Sequence, residues 1–326
     1  MDSQNNKHCS WNSQRNFLSQ YRPLMVKVRN GDQNVYQQIK NLRSMVFRNT
    51  VDIATQRHYI TEEGNEMDIS EDLIVQRTVF YDKEFTVDKV ETRDSDKRDS
   101  DTIVEVLHID CLEAVRLLEK KGYYPALLNM ASRQNPGGGV INGAGAQEET
   151  IFRRTNLFRS LYQFAPYAPE YGLTINKKQY PLDRNFGGIY SPLVVCFRDD
   201  EKRGYKLREN PFVFAVISVA GMNRPPLTPD GKHIAPDYVN GVKNKIRTIF
   251  RIGLLNGHDS LVLGALGCGA FCNPPAHVAR LFHEVMEEHE FKNKYAKIVF
   301  AILDDHNTHK KHNPEGNYLP FVREFI

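Results

Sequence analysis

The chain has 326 residues, of which 40% are hydrophobic and 25% charged, so it is long enough to bury one large core or two small ones. Its net charge of +3 is too small to indicate a nucleic-acid-binding protein, and no sequence-specific nucleic acid is expected as a partner. Five cysteines, an odd number, and the lack of an apolar run of roughly 18 residues predict a reduced, intracellular protein, cytoplasmic or nuclear, with no membrane span.

The N-terminal third is predicted to contain two segments of different character. Residues 1–35 are polar and rich in Asn, Gln and Arg, which predicts a flexible arm. In residues 36–101, Ile39, Leu42 and Val46 recur at helical spacing, which predicts short amphipathic helices. We therefore expect an N-terminal helical extension that packs on a core.

A turn is predicted at residues 62–65, and the charged stretch 94–101 has no apolar residue, so an exposed loop is expected there. The compact α/β domain is expected to span residues 102–326. Its predicted strands cover 103–109, 125–131, 211–221, 261–266 and 298–303. Amphipathic helices are predicted between them, with Gly122 just past the end of the first. This alternation predicts a three-layer α/β/α sandwich with a mixed, largely parallel sheet.

The most informative stretch is residues 135–149, in which Gly137, Gly138 and Gly139 precede the paired carboxylates Glu148 and Glu149. Without Cβ atoms, successive backbone N–H groups can converge on an anion without a lysine. No Gly-Lys-Ser/Thr follows, and Glu148 stands where the dinucleotide fingerprint requires Gly or Ala, so neither an NTPase nor a simple Rossmann site is indicated. The stretch predicts a phosphorylated sugar held for acid chemistry.

A second loop, residues 263–275, leads from a predicted buried strand into a helix with Pro275 near its first turn. Free N–H groups at a helix start favour negative charge by about 0.3–1 kcal/mol per contact. Ligands of open α/β sheets bind outside the carboxyl ends of strands, so the two loops are predicted to hold a diphosphate from opposite sides. The alternative is that both are only tight turns.

These residues carry a family resemblance. The succession of Asn-Pro-Gly-Gly-Gly at 135–139, Gln-Glu-Glu at 147–149 and Gly-Cys-Gly-Ala-Phe at 267–271 resembles the microbial (bacterial and fungal) type of poly(ADP-ribose) glycohydrolase, a branch of the macrodomain fold. Leu128–Ser132 and residues 189–192 and 197–199 fit the same pattern. The resemblance extends from about Leu42 to about Asp305 and implies a macrodomain-like fold.

The resemblance also implies a substrate and a set of site residues. The substrate would be the O-glycosidic ribose–ribose bond of poly(ADP-ribose), cleaved to release ADP-ribose without a cofactor, by a chain expected to act as a monomer. Glu149 would be the general acid and Glu148 would hold ribose hydroxyls, since two neighbouring carboxyls resist simultaneous ionisation and one proton can persist near neutral pH. The residues expected to bind ADP-ribose are Asp110, Asn129, Gly137, Gly138, Gly139, Val140, Gln147, Gly267, Cys268, Gly269, Ala270 and Phe271.

Three of these side chains have a second interpretation. Phe271 either aligns the distal ribose or is a core aromatic beneath its loop. Asn129 either lies beside the ribose or bonds the backbone. Asp110 either accepts the adenine amino group or caps a helix.

The arginines that follow the carboxylates, Arg153, Arg154 and Arg159, either meet the phosphates of the polymer or lie solvated on a helix surface.

Two rival chemistries are less well supported. Cys268 lies in a Gly-Cys-Gly turn, but no local base accompanies it as a nucleophile would require. His306, His309 and His312, with Cys268 and Cys272 upstream, match no zinc-site spacing, so no metal is predicted.

Two other functions stay open. The same loops would serve a reader that binds ADP-ribose without cleaving it, although the paired carboxylates argue against this. An enzyme that removes single ADP-ribose units from protein or nucleic acid is the other alternative.

Overall fold

The computed structural model describes residues 13–29, 33–69, 73–86, 101–304 and 308–326. The helices are α1 (Ser13–Arg29), α2 (Tyr36–Gln56), α3 (Leu73–Arg77), α4 (Cys111–Lys120), α5 (Gln147–Arg154), α6 (Leu157–Tyr162), α7 (Pro236–Leu255), α8 (Pro275–Met286) and α9 (Tyr318–Phe325). The strands are β1 (His58–Ile60), β2 (Glu66–Asp68), β3 (Val79–Tyr81), β4 (Ile103–Leu107), β5 (Pro125–Met130), β6 (Gly188–Arg198), β7 (Leu207–Val219), β8 (Ser260–Leu263) and β9 (Lys297–Ala301).

The chain divides into two compact units, and each is assembled from segments that are not consecutive in sequence. The first unit contains the described residues before 72, together with Gly139–Asn156 and Val195–Phe212. The second unit contains the described residues of 73–138, Leu157–Val194 and Val213–Ile326. This division differs from the three consecutive segments predicted from the sequence, because local composition does not reveal which distant segments pack together.

The second unit is organised by a seven-stranded sheet with the order β3-β6-β7-β5-β8-β9-β4. The pairs β7–β5, β5–β8, β8–β9 and β9–β4 are parallel, whereas β3 is antiparallel to β6. The sheet is therefore mixed and largely parallel, as predicted. The predicted strands near 103, 125, 211, 261 and 298 all form, with ends shifted by a few residues.

Both faces of this sheet are covered. Leu128 and Leu263 share one core with α7, α8 and α9, where Ile246 and Phe282 are fully buried. Leu127 is buried as well but, because successive side chains of a strand alternate, it faces the opposite side, where α4 packs against β5 and β8. The second unit therefore has the predicted α/β/α layers.

The predicted flexible arm is wrong for residues 13–29, which form α1. Phe17, Tyr21 and Leu24 recur at helical spacing and belong to a buried cluster shared with α2. Tyr21 donates from its hydroxyl to Glu201 Oε2 at 3.0 Å, and Arg43 Nε donates to Glu201 Oε1 at 2.6 Å. Three apolar positions in a polar sequence are enough for a helix when a partner buries them. Residues 1–12 and 30–32 lie outside the described residues.

The predicted helical extension also needs correction. Ile39, Leu42 and Val46 lie in one continuous helix, α2, and not in several short ones. α2 packs against α1, α5 and the short 3-10 helix Val140–Asn142, and the five-residue α3 lies further along the chain. The hairpin β1–β2 follows, and the predicted turn at 62–65 joins its strands. β3 then joins the main sheet by pairing with β6, a partner that lies too far along the chain for local pattern to show. Of the predicted exposed loop at 94–101, all but Asp101 lies outside the described residues.

No described helix combines the length and the apolar character needed to span a membrane.

Candidate active site

The glycine-rich loop follows β5 and changes backbone direction at its glycines. Gly137 has φ +78° and Gly138 has φ +55°, a left-handed conformation that glycine adopts without a steric penalty. The N–H of Gly138 donates to the carbonyl oxygen of Asn135 at 3.0 Å, which closes the turn. Replacing either residue with one that carries a Cβ would therefore strain the loop.

The paired carboxylates occupy the first turn of α5, which begins at Gln147. Glu148 and Glu149 are 3% and 8% exposed. The N–H of Gly139 donates to Glu149 Oε1 at 2.9 Å. Glu149 Oε2 is buried and has no hydrogen-bond partner among the described residues. One oxygen of this carboxyl is thus held by the glycine-rich loop, and the other accepts no hydrogen bond from the described residues.

This arrangement makes the two oxygens of the Glu149 carboxyl unequal. Oε1 accepts a hydrogen bond from a backbone N–H, so it presents a lone pair and not a hydrogen to Gly139. In the neutral carboxyl the acidic hydrogen is therefore on Oε2. A group that approached Oε2 would meet an O–H donor.

The second loop follows β8 and is organised by Asn273. The Nδ2 amide of this buried residue donates to the carbonyl oxygens of Met222 at 2.7 Å, Gly267 at 2.9 Å and Phe271 at 3.1 Å. Gly267 has φ +76°, and a Cβ there would lie 2.6 Å from Asn273 Nδ2. Sequence reasoning missed Asn273. Its place just before the two prolines that open α8 was the available signal.

Within the second unit, both loops start at the same edge of the sheet. β5 and β8 are neighbouring parallel strands, so their carboxyl ends lie side by side. The contact is close, since a Cβ on Gly264 would lie 3.2 Å from Met130 Cε at the end of β5. The predicted placement of the two strand ends is confirmed. That the loops together hold a diphosphate stays a prediction.

The chain is similar to known proteins. The family model described as "Microbial-type PARG, catalytic domain" matches residues 48–199. A crystal structure of poly(ADP-ribose) glycohydrolase (PARG) from Deinococcus radiodurans in complex with ADP-ribose has 31% sequence identity and a TM-score of 0.55, and the match covers 77% of this chain and 95% of that one. The chain belongs to the microbial-type poly(ADP-ribose) glycohydrolase family.

Poly(ADP-ribose) glycohydrolase from Thermomonospora curvata is also similar, with 27% identity and a TM-score of 0.67, and the match covers 87% of this chain and 99% of that one. The same enzyme bound to the inhibitor ADP-HPD matches with a TM-score of 0.65, 27% identity and the same coverage. No curated protein matches the chain. The predicted family, and with it the macrodomain-like α/β fold, is confirmed.

The side chains with two interpretations take defined places in this microbial-type glycohydrolase. Asp110 caps α4, with Oδ1 accepting from the N–H groups of Leu112 at 3.1 Å and Glu113 at 3.2 Å. Asn129 is buried in β5 and donates to Ser218 Oγ at 3.0 Å. Phe271 is only half-buried, so it is not a core aromatic. The contacts of all three with a ligand stay predictions.

The remaining predicted ADP-ribose residues belong to the two loops. Val140 is buried and begins the 3-10 helix that links Gly139 to α5, whereas Gln147 is half-buried at the start of α5. Cys268 is buried, Gly269 is half-buried, and Ala270 is exposed at the tip of the second loop.

The arginines after the carboxylates require a correction to one of their two sequence interpretations. Arg153, Arg154 and Arg159 are buried, so they do not lie solvated on a helix surface, and their contact with the phosphates of the polymer stays a prediction. Arg153 Nη1 donates to the carbonyl oxygen of Ala144 at 2.6 Å, and its Nε donates to the hydroxyl of Tyr205 at 2.9 Å. The interior accepts the Arg153 guanidinium because carbonyl and hydroxyl oxygens accept hydrogen bonds from it.

The rival zinc and cysteine chemistries gain no support from the described residues. Among these, no group of three or more His, Cys, Asp or Glu side chains is arranged to hold a metal ion, and His306 lies outside them. His312 Nε2 instead lies 2.9 Å from the carbonyl oxygen of Cys268, within hydrogen-bond distance, and so stabilises the second loop. Burial raises the pKa of the Cys268 thiol, which disfavours the thiolate that a nucleophile requires.

We therefore expect Cys268 to resist alkylation in the folded protein. With iodoacetamide near pH 8, the half-buried Cys272 should react, and Cys268 should react at least about 10-fold more slowly, because its thiol is buried and un-ionised. Peptide mass spectrometry over time measures both rates. In urea the two rates should converge. Equal rates in the folded protein would contradict this description of Cys268.

Proposed function

We propose that this chain hydrolyses the O-glycosidic ribose–ribose bond of poly(ADP-ribose) and releases ADP-ribose, with Glu149 as the general acid. Family membership supports the substrate class, since relatives with 27–31% identity are poly(ADP-ribose) glycohydrolases bound to ADP-ribose or to ADP-HPD. The single observation that supports the role of Glu149 is its asymmetric carboxyl. Oε1 is held by the Gly139 N–H, and Oε2 has no partner among the described residues.

The proposed reaction begins with the neutral carboxyl. The hydrogen on Oε2 passes to the bridging glycosidic oxygen as the bond from this oxygen to the anomeric carbon breaks, which leaves a ribose hydroxyl and an oxocarbenium-like centre. Water then adds to the anomeric carbon and returns a proton to the Glu149 carboxylate. The hydrogen bond from Gly139 keeps Oε2 oriented throughout, because it restricts rotation of the carboxyl group.

Glu148 is proposed to hold ribose hydroxyls. It shares the first turn of α5 with Glu149 and is buried, so both carboxyls are largely removed from bulk water. The buried Glu148 is therefore close enough along the helix to contact the same substrate as Glu149.

Backbone N–H groups of the two loops are proposed to bind the diphosphate. The left-handed turns at Gly137, Gly138 and Gly267 leave no Cβ in the way of a close approach. Phe271, half-buried on the second loop, is proposed to contact a ribose of the substrate.

Product analysis on labelled substrates tests this proposal. We expect free ADP-ribose to be released from defined poly(ADP-ribose), because a buried acid with an available oxygen needs only a glycosidic oxygen within reach. Chromatography of the products measures the release. A parallel reaction uses a protein that carries single ADP-ribose units.

Three results are distinguishable. Release from the polymer supports the proposal. Cleavage of the singly modified protein alone would replace it with mono-ADP-ribosyl hydrolysis, and tight binding of an intact polymer would identify a reader.

A further inference from the structure

We propose that Arg153 is a positioning residue that holds the Glu149 carboxyl in place through the backbone of the glycine-rich loop. This inference rests on the proposed function of Glu149 as the general acid. Arg153 does not touch the carboxyl itself. It lies one turn further along α5, and its guanidinium reaches back to the loop that holds Glu149.

The contacts form a closed ring within the first unit. Gly139 N donates to Glu149 Oε1 at 2.9 Å. Ala144 N donates to the carbonyl oxygen of Gly139 at 3.1 Å. Arg153 Nη1 donates to the carbonyl oxygen of Ala144 at 2.6 Å, and α5 links Arg153 to Glu149. Any shift of Ala144 is therefore transmitted to Gly139, whose N–H orients the acid.

Close packing makes this ring stiff. A Cβ added to Gly139 would lie 2.8 Å from the Cβ of Ala144 and 3.7 Å from Glu149 Oε1. The two loop residues are thus in direct contact, and no space separates the Ala144 side chain from the residue that holds the carboxyl. Movement at one of them displaces the other.

The hydrogen bonds of the ring explain why the charged Arg153 side chain is buried. Arg153 is 1% exposed and pairs with no carboxylate among the described residues. Its hydrogen-bond acceptors are a carbonyl oxygen and the hydroxyls of Tyr205 and Thr150. Burying a cation without a direct carboxylate partner costs free energy, which the nearby charge of Glu201 offsets in part. The N–H groups of a guanidinium form a planar fork, so Arg153 can donate to Ala144 and Tyr205 at once. A lysine ammonium lacks this fork.

Tyr205 fixes the other side of the guanidinium. Its hydroxyl accepts from Arg153 Nε at 2.9 Å and lies 3.3 Å from Glu201 Oε1, to which it donates. Glu201 in turn accepts from Arg43 and from Tyr21 of α1. Burial raises the pKa of Glu201, but the hydrogen bonds from Arg43 and Tyr21 and the charges of Arg43 and Arg153 outweigh burial and lower this pKa overall. The Glu201 carboxyl is therefore ionised at neutral pH.

The test compares two variants with a matched control. Arg153→Lys retains the charge and loses the fork, and Tyr205→Phe retains the ring and loses the hydroxyl. The control is Tyr59→Phe, which removes a buried hydroxyl of the same unit that donates to the carbonyl oxygen of Arg208 at 2.6 Å, outside the ring of contacts. For each variant we would measure kcat and KM on poly(ADP-ribose), the Kd for ADP-ribose and the melting temperature.

We expect R153K to lower kcat about 10–100-fold while KM and the Kd for ADP-ribose change less than about 3-fold, because a misplaced acid slows the chemical step without removing the binding loops. Y205F should lower kcat in the same direction by a smaller factor. Y59F should retain the kcat of the wild type, even if its melting temperature falls.

If the kcat of R153K, normalised to the folded fraction, equals that of the wild type, the inference is overturned and the proposed function stays intact. If R153K does not fold, a kcat in Y205F equal to that of Y59F would overturn it. If the wild type releases no ADP-ribose from the polymer, the proposed function itself fails, and the inference fails with it.

Discussion

Glu149→Gln should lower kcat on poly(ADP-ribose) by about 10²–10⁴-fold, or about 2.7–5.4 kcal/mol in activation free energy. Glutamine has nearly the same shape, and its amide oxygen can still accept from the Gly139 N–H that now holds Oε1. The amide nitrogen then takes the place of Oε2, and it carries no acidic proton to transfer. Turnover of labelled polymer gives kcat, and titration with ADP-ribose gives the Kd.

The Kd for ADP-ribose should change less than about 10-fold in this variant, because the loops and their N–H groups are untouched. Glu148→Gln is the informative neighbour, since loss of a ribose contact should weaken binding more than it slows turnover. Glu170→Gln, at an exposed position, is the control for a change of net charge. Retention of full turnover by E149Q would remove Glu149 from the mechanism.

Gly143→Ala should destabilise the protein by more than about 4 kcal/mol or prevent cooperative unfolding. Gly143 follows the 3-10 helix Val140–Asn142 with φ +72°. A Cβ there would overlap the carbonyl group of Lys40 in α2 and lie 2.6 Å from Lys40 Cα. The backbone of α2 cannot move aside as a flexible side chain can. The segment that contains Ala144 and leads into α5 must therefore shift. Urea unfolding measures the change in free energy.

Gly172→Ala distinguishes the stability cost of the steric clash from the cost of the left-handed backbone conformation. Gly172 also follows a 3-10 helix, with φ +67°, but a Cβ there meets nothing within 4 Å. Its replacement should cost only about 1–2 kcal/mol, the penalty of the left-handed conformation. The steric account of Gly143 would be refuted by equal losses of stability in the two variants.

The strands of the second unit were predictable because each is a short apolar run bounded by turn residues. The stretch 125–131 is such a run, and β5 forms there with every residue except Met130 fully buried. Gly122 was predicted just past the end of α4. Its φ of +84° is the left-handed conformation that favours glycine at a helix end. These signals are local, since they depend on side chains a few residues apart.

The first unit was predicted less well because its interactions are not local. α1 lies where a structureless arm was expected, and its Phe17 is buried against Tyr205, far along the chain, with ring centroids 5.1 Å apart. Arg153 was expected at the exterior because arginine usually is, but the acceptors that allow its burial come from Ala144 and Tyr205. Nothing in the sequence next to Arg153 indicates either partner.

The sequence by itself determined the family, the α/β fold and the order of the glycine-rich loop and the Gln-Glu-Glu segment, because these depend on residue types at fixed spacing. Only the tertiary structure decided which oxygen of Glu149 is held and which is left for a ligand. It also decided that Arg153 lies inside and that Asn273 ties the second loop together. The physical reason is that hydrogen bonds and burial depend on distances between atoms, and residues far apart in sequence come within reach only when the chain is folded.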